Sequence, residues 1–199
     1  MPDEIVTPSH VHASTASPRA EQGERPGEVH GRARAAVGGR WLEICVPIAV
    51  VALDQLTKWI VRSTLPLHDS VTIVPGFVDF THVRNTGAAF GILNAADFPF
   101  KTVVIAVIAT AALIAVGVYA ASLAHHQMVA RLGLALIIGG AAGNLLDRII
   151  EGSVVDFVDV YWRSYHFWAF NVADSAITVG VAIMILDMLG VGTHVSKTA

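Results

Sequence analysis

Asp174 stands in the stretch Phe170 to Ile177, FNVADSAI, at the entrance to a run that stays apolar almost to Leu189. A carboxylate in a membrane-length apolar run costs on the order of 2.5 to 3.5 kcal/mol near its centre, so such a group is paired or functional by default. Asp156, in VVDFVDV, falls shortly after the preceding apolar run ends, and two antiparallel neighbouring segments would carry it to the same level as Asp174. Carboxyls that share a site repel each other and are desolvated, which raises one proton affinity and leaves one proton between them near neutral pH. One member then takes a proton from water while the other hydrogen-bonds a scissile carbonyl, a route to amide hydrolysis that needs no nucleophilic side chain and no metal. Asp159 occupies the same segment, and spacing alone does not separate it from Asp156.

Other polar residues sit at apolar positions. Asn144, Asp147 and Arg148, in GGAAGNLLDR, are spaced i, i+3 and i+4 and share one helix face. They follow a row of small residues, Gly139 to Gly143, that admits a neighbouring backbone. The plain reading is a packing seam with a structural Asn and an Arg reaching to the interface; the functional one is a polar lining whose Arg holds a carbonyl or a developing oxyanion. Asp54 and Lys58 are four apart with the acid first, the better order for a helical ion pair, and they either neutralise each other or orient something else. Glu43 and Asp187 lie near span ends and read as interfacial, hydrated groups. His125 and His126 are adjacent, point apart on a helix, and have no further ligands beside them for a metal. The single cysteine, Cys45, has no partner for an intrachain disulfide and reads as packing.

These residues need elements to hold them. Of 199 residues 54% are hydrophobic and 15% charged, with mean hydropathy +0.59, above the apolar share of ordinary soluble domains. Four runs approach the roughly 20 residues needed to cross a bilayer: Trp41 to Val61, Thr102 to Leu123, Leu132 to Ile150 and Phe170 to Leu189. The expected fold is therefore an all-α polytopic membrane protein with four transmembrane helices. The first run is a retained span and not a cleaved leader, because polar sequence precedes it and it carries Asp54 and Lys58. Residues 1–40, with five Arg against five acidic residues and an excess of Ser, Pro and Gly, are expected to be a disordered polar tail; 41–190 form the membrane domain and 191–199 a short C-terminal tail.

Four spans put both termini on one side. Lys and Arg number seven in the tails and the turn between the second and third spans, against four in the two remaining loops, which assigns the termini to the cytoplasm. The two other loops then face outward. In the first, Ser70 to Val83, β-rich runs flank Pro75-Gly76, the signature of a hairpin with a type II turn. The second carries VVDFVDVYW and the aromatics Tyr161, Trp162, Tyr165 and Trp168, suited to the interfacial belt. The net charge of −3 and the absence of a basic stripe exclude a nucleic-acid partner.

Five motifs in order, DQLTK (Asp54 to Lys58), NTGAAFG (Asn85 to Gly91), GGAAGNLLDR (Gly139 to Arg148), VVDFVDV and FNVADSAI, resemble the motif set of the bacterial lipoprotein signal peptidases, or signal peptidase II. The resemblance covers about Trp41 to Leu189. It implies an aspartic endopeptidase of the bacterial cytoplasmic membrane, with four spans and a small β-structured extracytoplasmic platform near the active site. Its implied substrates are prolipoproteins carrying diacylglyceryl on a cysteine, cut just before that cysteine, with membrane lipid as the surrounding partner and no cofactor. Motif position carries the catalytic pair to Asp156 and Asp174, and the polar lining to Asn85, Asn144, Arg148 and Asn171, with Asp54 and Lys58 as support; Asp159 remains a weaker member. The long tail departs from the family pattern. A four-span ion or proton pathway is the rival class, but it wants acids stepped through the bilayer depth, and here they gather at one face. An intramembrane protease of the presenilin type would place its acids in YD and GxGD contexts that do not occur.

Overall fold

The structure, a computed structural model, describes residues 41–87 and 100–190. The expectations for both tails, and for Ala88 to Gly91 of the NTGAAFG motif, lie outside the described residues. The chain runs through helix α1 (Trp41–Thr64), strands β1 (Ser70–Val74) and β2 (Val78–Asn85), helices α2 (Lys101–Ser122) and α3 (Met128–Glu151), strands β3 (Val154–Trp162) and β4 (Tyr165–His166), and helix α4 (Val172–Met188).

Among the described residues, α1, α2 and α3 are long and apolar enough to cross a membrane. At 1.5 Å per residue their 22 to 24 residues span about 33 to 36 Å. The fourth apolar run behaves differently from its expected Phe170 to Leu189. Phe170 is spent on a β-bridge to Val158 and Asn171 on capping, so α4 starts at Val172 and has 17 residues, about 25 Å. Leu, Ile and Val side chains stand exposed along α1 and α2, as lipid-facing positions require.

Helix α3 is the hub, packed against α1, α2 and α4, and its small residues set how closely the others approach. A Cβ on Gly139 would stand 2.8 Å from Val50 Cβ and 2.9 Å from Pro47 Cα, and one on Gly140 would collide with the Ala173 carbonyl. Gly180 meets Gly133 from the α4 side: a Cβ on Gly180 would stand 2.6 Å from the Gly133 carbonyl. Gly152, with φ +73°, ends α3, its N–H bonding the Arg148 carbonyl.

The strands form one antiparallel sheet in the order β1-β2-β3-β4. The expected hairpin is present: Phe77 N–H donates to the Val74 carbonyl at 3.0 Å, and Gly76 at the third turn position has φ +82°, the left-handed value a type II turn demands. A bulge between Phe80 and Val83 lets β2 oppose β3 as far as Asn85↔Val154, with Val83 facing Asp156. A small core of Val61, Val155 and Phe157, with Val158 and Val172 against it, locks the end of α1 to β3 and the start of α4.

Candidate active site

Backbone registry delivers the two acids. On one edge β3 pairs with β2, and on its other edge Phe170 exchanges hydrogen bonds with Val158, N–H to carbonyl at 3.0 Å and the reverse at 2.9 Å. The chain then enters α4 directly. Asn171 is the N-cap: its side-chain oxygen accepts from the Asp174 N–H at 2.9 Å, and the Asp174 carboxylate accepts from the Asn171 N–H at 3.3 Å. This reciprocal capping box fixes Asp174 beside the strand that carries Asp156.

Three asparagines bind the two carboxyls, and obligate donors dictate how each amide is turned. Asn171 Oδ1 is taken by the Asp174 N–H, so its Nδ2 faces Asp156 Oδ1 at 2.7 Å. Asn85 Oδ1 accepts from the Gly87 N–H at 2.9 Å, and its Nδ2 donates to Asp156 Oδ2 at 3.1 Å. Asn144 Oδ1 accepts from Lys58 Nζ at 2.9 Å and its Nδ2 donates to Asp174 Oδ1 at 2.7 Å. An N–H or an ammonium can only donate, so none of these amides can flip without loss. Asn171 Nδ2 also lies 3.2 Å from Asn144 Oδ1, which closes the ring.

Behind this ring lies a buried charged layer. Lys58 is inaccessible to solvent and contacts Asp54 Oδ2 at 2.7 Å and Asp147 Oδ2 at 2.8 Å. The second contact is a close charge pair and not a directed hydrogen bond, since Asp147 Oδ2 has no donor aligned on it. Gln55 Nε2 donates to Asp147 Oδ1 at 2.8 Å, and Asp54 Oδ1 accepts the Ala173 N–H at 3.0 Å, tying α1 to the first turn of α4. The small residue at 143 is what permits this: a Cβ there would stand 2.7 Å from Asp54 Oδ2. The plain ion-pair reading of Asp54 and Lys58 is thus incomplete, because the pair extends to α3 and α4. Gln55 and Asp147 belong to the same layer, and their i+1 and i+93 placement relative to Asp54 is a tertiary fact with no local signal.

Asp156 is 4% exposed. Burial, and next the charge of Asp174, push its carboxyl up to about 7, against the hydrogen bonds from Asn85 and Asn171. A carboxyl of that affinity is half-protonated at neutral pH, as proton sharing between paired acids requires.

Two further residues have partners that spacing did not specify. Asp159 lies three positions along β3 from Asp156, on the opposite face of a two-residue repeat, where it pairs with His166 Nδ1 at 2.8 Å. It takes no part in the ring. Arg148 donates to the Asn144 carbonyl at 3.0 Å and to the Gly87 carbonyl at 2.9 Å, anchoring the segment that presents Asn85. At the far end of the bundle Glu43 is not simply hydrated: it receives Arg131 Nε at 2.8 Å, and that guanidinium is 1% exposed.

The family model described as signal peptidase (SPase) II matches residues 46–190. A lipoprotein signal peptidase of Solibacter usitatus is 44% identical over 153 residues, covering 75% of this chain and 92% of its own. One from Geobacter metallireducens is 43% identical over 150 residues, covering 75% and 91%. Among solved structures, a bacterial membrane enzyme determined by the in meso method at 2.3 Å superposes with a TM-score of 0.68 at 34% identity, covering 79% of this chain and 93% of that one.

Proposed function

The chain belongs to the signal peptidase II family, and from that premise we propose that Asp156 and Asp174 are its catalytic dyad. The protein is an aspartic-type peptidase of a bacterial membrane and removes signal peptides from prolipoproteins. The observation that carries the residue assignment is the sharing of Asn171, whose amide binds Asp156 and whose cap binds Asp174.

Water attacks the scissile carbonyl directly. One carboxylate removes a proton from the water, and the protonated partner hydrogen-bonds and then protonates the carbonyl oxygen, giving a neutral tetrahedral diol. Collapse breaks the C–N bond as the nitrogen takes the proton first removed from water, and the diol returns the other proton to the dyad. Asn85, Asn144 and Asn171 hold the carboxyls before substrate arrives, so little reorganisation is left for the reaction. Arg148 and Lys58 offset the negative charge of the acids.

The substrate is a diacylglyceryl prolipoprotein, cut just before the lipidated cysteine, with its acyl chains remaining in lipid. A dyad between the N-terminus of α4 and a surface sheet suits that division. Helix α4 makes the fourth crossing, shortened because its polar entrance is recessed to the level of the dyad. Both termini lie in the cytoplasm and the sheet is extracytoplasmic.

The test is cleavage of a purified diacylglyceryl-modified prolipoprotein in detergent or lipid. Wild type is expected to cut before the cysteine, and Asp156→Asn and Asp174→Asn, at matched thermal stability, to fall by at least about a thousandfold. Near-normal turnover by either variant removes that residue from the dyad.

A further inference from the structure

In a site closed to solvent, Lys58 donates to Asp54 on its own helix and to Asn144 on α3, and the Asp147 carboxylate stands beside it as a second counter-charge. The contact with Asn144 is the one that leads to a catalytic carboxyl by a side-chain hydrogen bond. Because Lys58 holds the Asn144 carbonyl, the amino group of Asn144 must point at Asp174. The two catalytic carboxyls are then unequal. Asp174 sits in the first turn of α4, where the helix N-terminus favours negative charge, and it also accepts the Asn171 N–H. Asp156 is on a strand, is more deeply buried, and has no helix terminus behind it; its carboxyl is already pushed up to about 7.

We propose that Lys58 is a positioning residue for the reaction: by holding Asn144 in one orientation it keeps the negative charge on Asp174, which takes the proton from water, while the shared proton stays on Asp156. This rests on the dyad reading above and assigns the roles within it. Asp156–H is then the group that protonates the carbonyl oxygen and recovers its proton from the diol. The charged groups around the dyad are Asp54 and Lys58 on α1, Asp147 and Arg148 on α3, Asp156 on β3 and Asp174 on α4. Lys58 touches two of the carboxylates and one of the asparagines, so it is the group whose loss most alters this balance.

Two measurements test it on the purified, full-length protein. In infrared spectra titrated upward from about pH 4, a protonated-carboxyl band should persist to higher pH in Asp174→Asn, which retains Asp156, than in Asp156→Asn. The reverse pattern overturns the assignment and leaves the dyad intact; cleavage by both variants at wild-type rates would sink the dyad itself. In pH profiles of kcat/KM, Lys58→Gln should move the acid limb up by about one pH unit, since removing a positive charge makes the base harder to ionise, and Lys58→Arg should restore it. Asp147→Asn should move the limb the opposite way, because a competing negative charge is removed, and this variant decides the matter by sign if Lys58→Gln does not fold. A uniform fall in kcat with an unmoved limb in both neutralised variants means that Lys58 is merely structural.

Discussion

At the scale of single residues, the site depends on asparagines whose amides are locked from behind, and Asn171 does two jobs that substitution can separate. A serine can still accept the Asp174 N–H and cap α4, but it is too short to reach Asp156 Oδ1. Asn171→Ser is therefore expected to cost about 1 kcal/mol or less in stability while lowering kcat/KM about a hundredfold or more, measured by unfolding in micelles beside the cleavage assay. Loss of stability without loss of turnover would reduce Asn171 to a cap. Asp156 gives a pH-dependent prediction. Its carboxyl binds a proton more tightly in the fold, at about 7, than at the ordinary 3.8 of an unfolded chain. The stability this contributes is complete below about pH 4 and is lost as pH rises through 7, on the order of 4 kcal/mol in all. Asp156→Asn cannot ionise, so its thermal midpoint should exceed that of wild type at pH 8 and converge on it near pH 4. A midpoint difference that does not change with pH would contradict the buried, shared proton. Both acids were legible in the sequence as costly carboxylates near span ends. Asp159 was not separable from Asp156 by spacing, and only the alternation of β3 sends it to the other face, beside His166.

At the scale of elements, the α3–α4 seam sets the distance between Asn144 and Asp174. The small residues from Gly139 to Gly143 announce a close approach, but the partner helix and contact atoms follow from the fold alone. A methyl at position 140 would press on the Ala173 carbonyl and come within 2.8 Å of Ile177 Cγ1, pushing the first turn of α4 outward. Gly140→Ala should cost about 1 to 3 kcal/mol and lower turnover sharply, because Asp174 moves with that turn. Gly117→Ala on α2 is the control: nothing lies within 4 Å of its added Cβ, so helix propensity makes it neutral or stabilising by up to about 1 kcal/mol, with activity unchanged. Equal effects at the two positions would show that backbone propensity, and not the seam, governs both. The helices themselves were legible from apolar run length to within a few residues. The start of α4 was misplaced by two because Phe170 is apolar by type yet serves as a strand partner of Val158, a pairing with no helical or strand periodicity of its own.

At the scale of the whole molecule, buried charge among the described residues is concentrated in two places along the bundle, and they have different consequences. One is the layer from Asp54 to Asp174 at the sheet end. The other is Glu43 with Arg131 at the opposite end of α1 and α3, where the guanidinium also donates to the His125 carbonyl at 3.0 Å. Glu43 and Asp54 are eleven positions apart on α1, about 16 Å of helix, so the second pair cannot contact a reacting peptide beside Asp156 and Asp174. It joins the start of α1 to the start of α3 and, with Gly117, Ala121 and Ala135, lines a cavity of about 210 Å³. Neutralising one side of a buried pair removes an opposing charge, whereas replacing both by apolar groups removes both charges together. Glu43→Leu is therefore expected to lose about 3 kcal/mol of stability in micelles, and Glu43→Leu with Arg131→Met to recover most of it. In both variants kcat/KM per folded molecule should stay within about twofold of wild type, because the ring of asparagines is untouched. A double variant as unstable as the single would show that the pair holds the helices by more than mutual charge, and a large change in kcat/KM at constant stability would mean that strain at one end of the bundle reaches the dyad at the other.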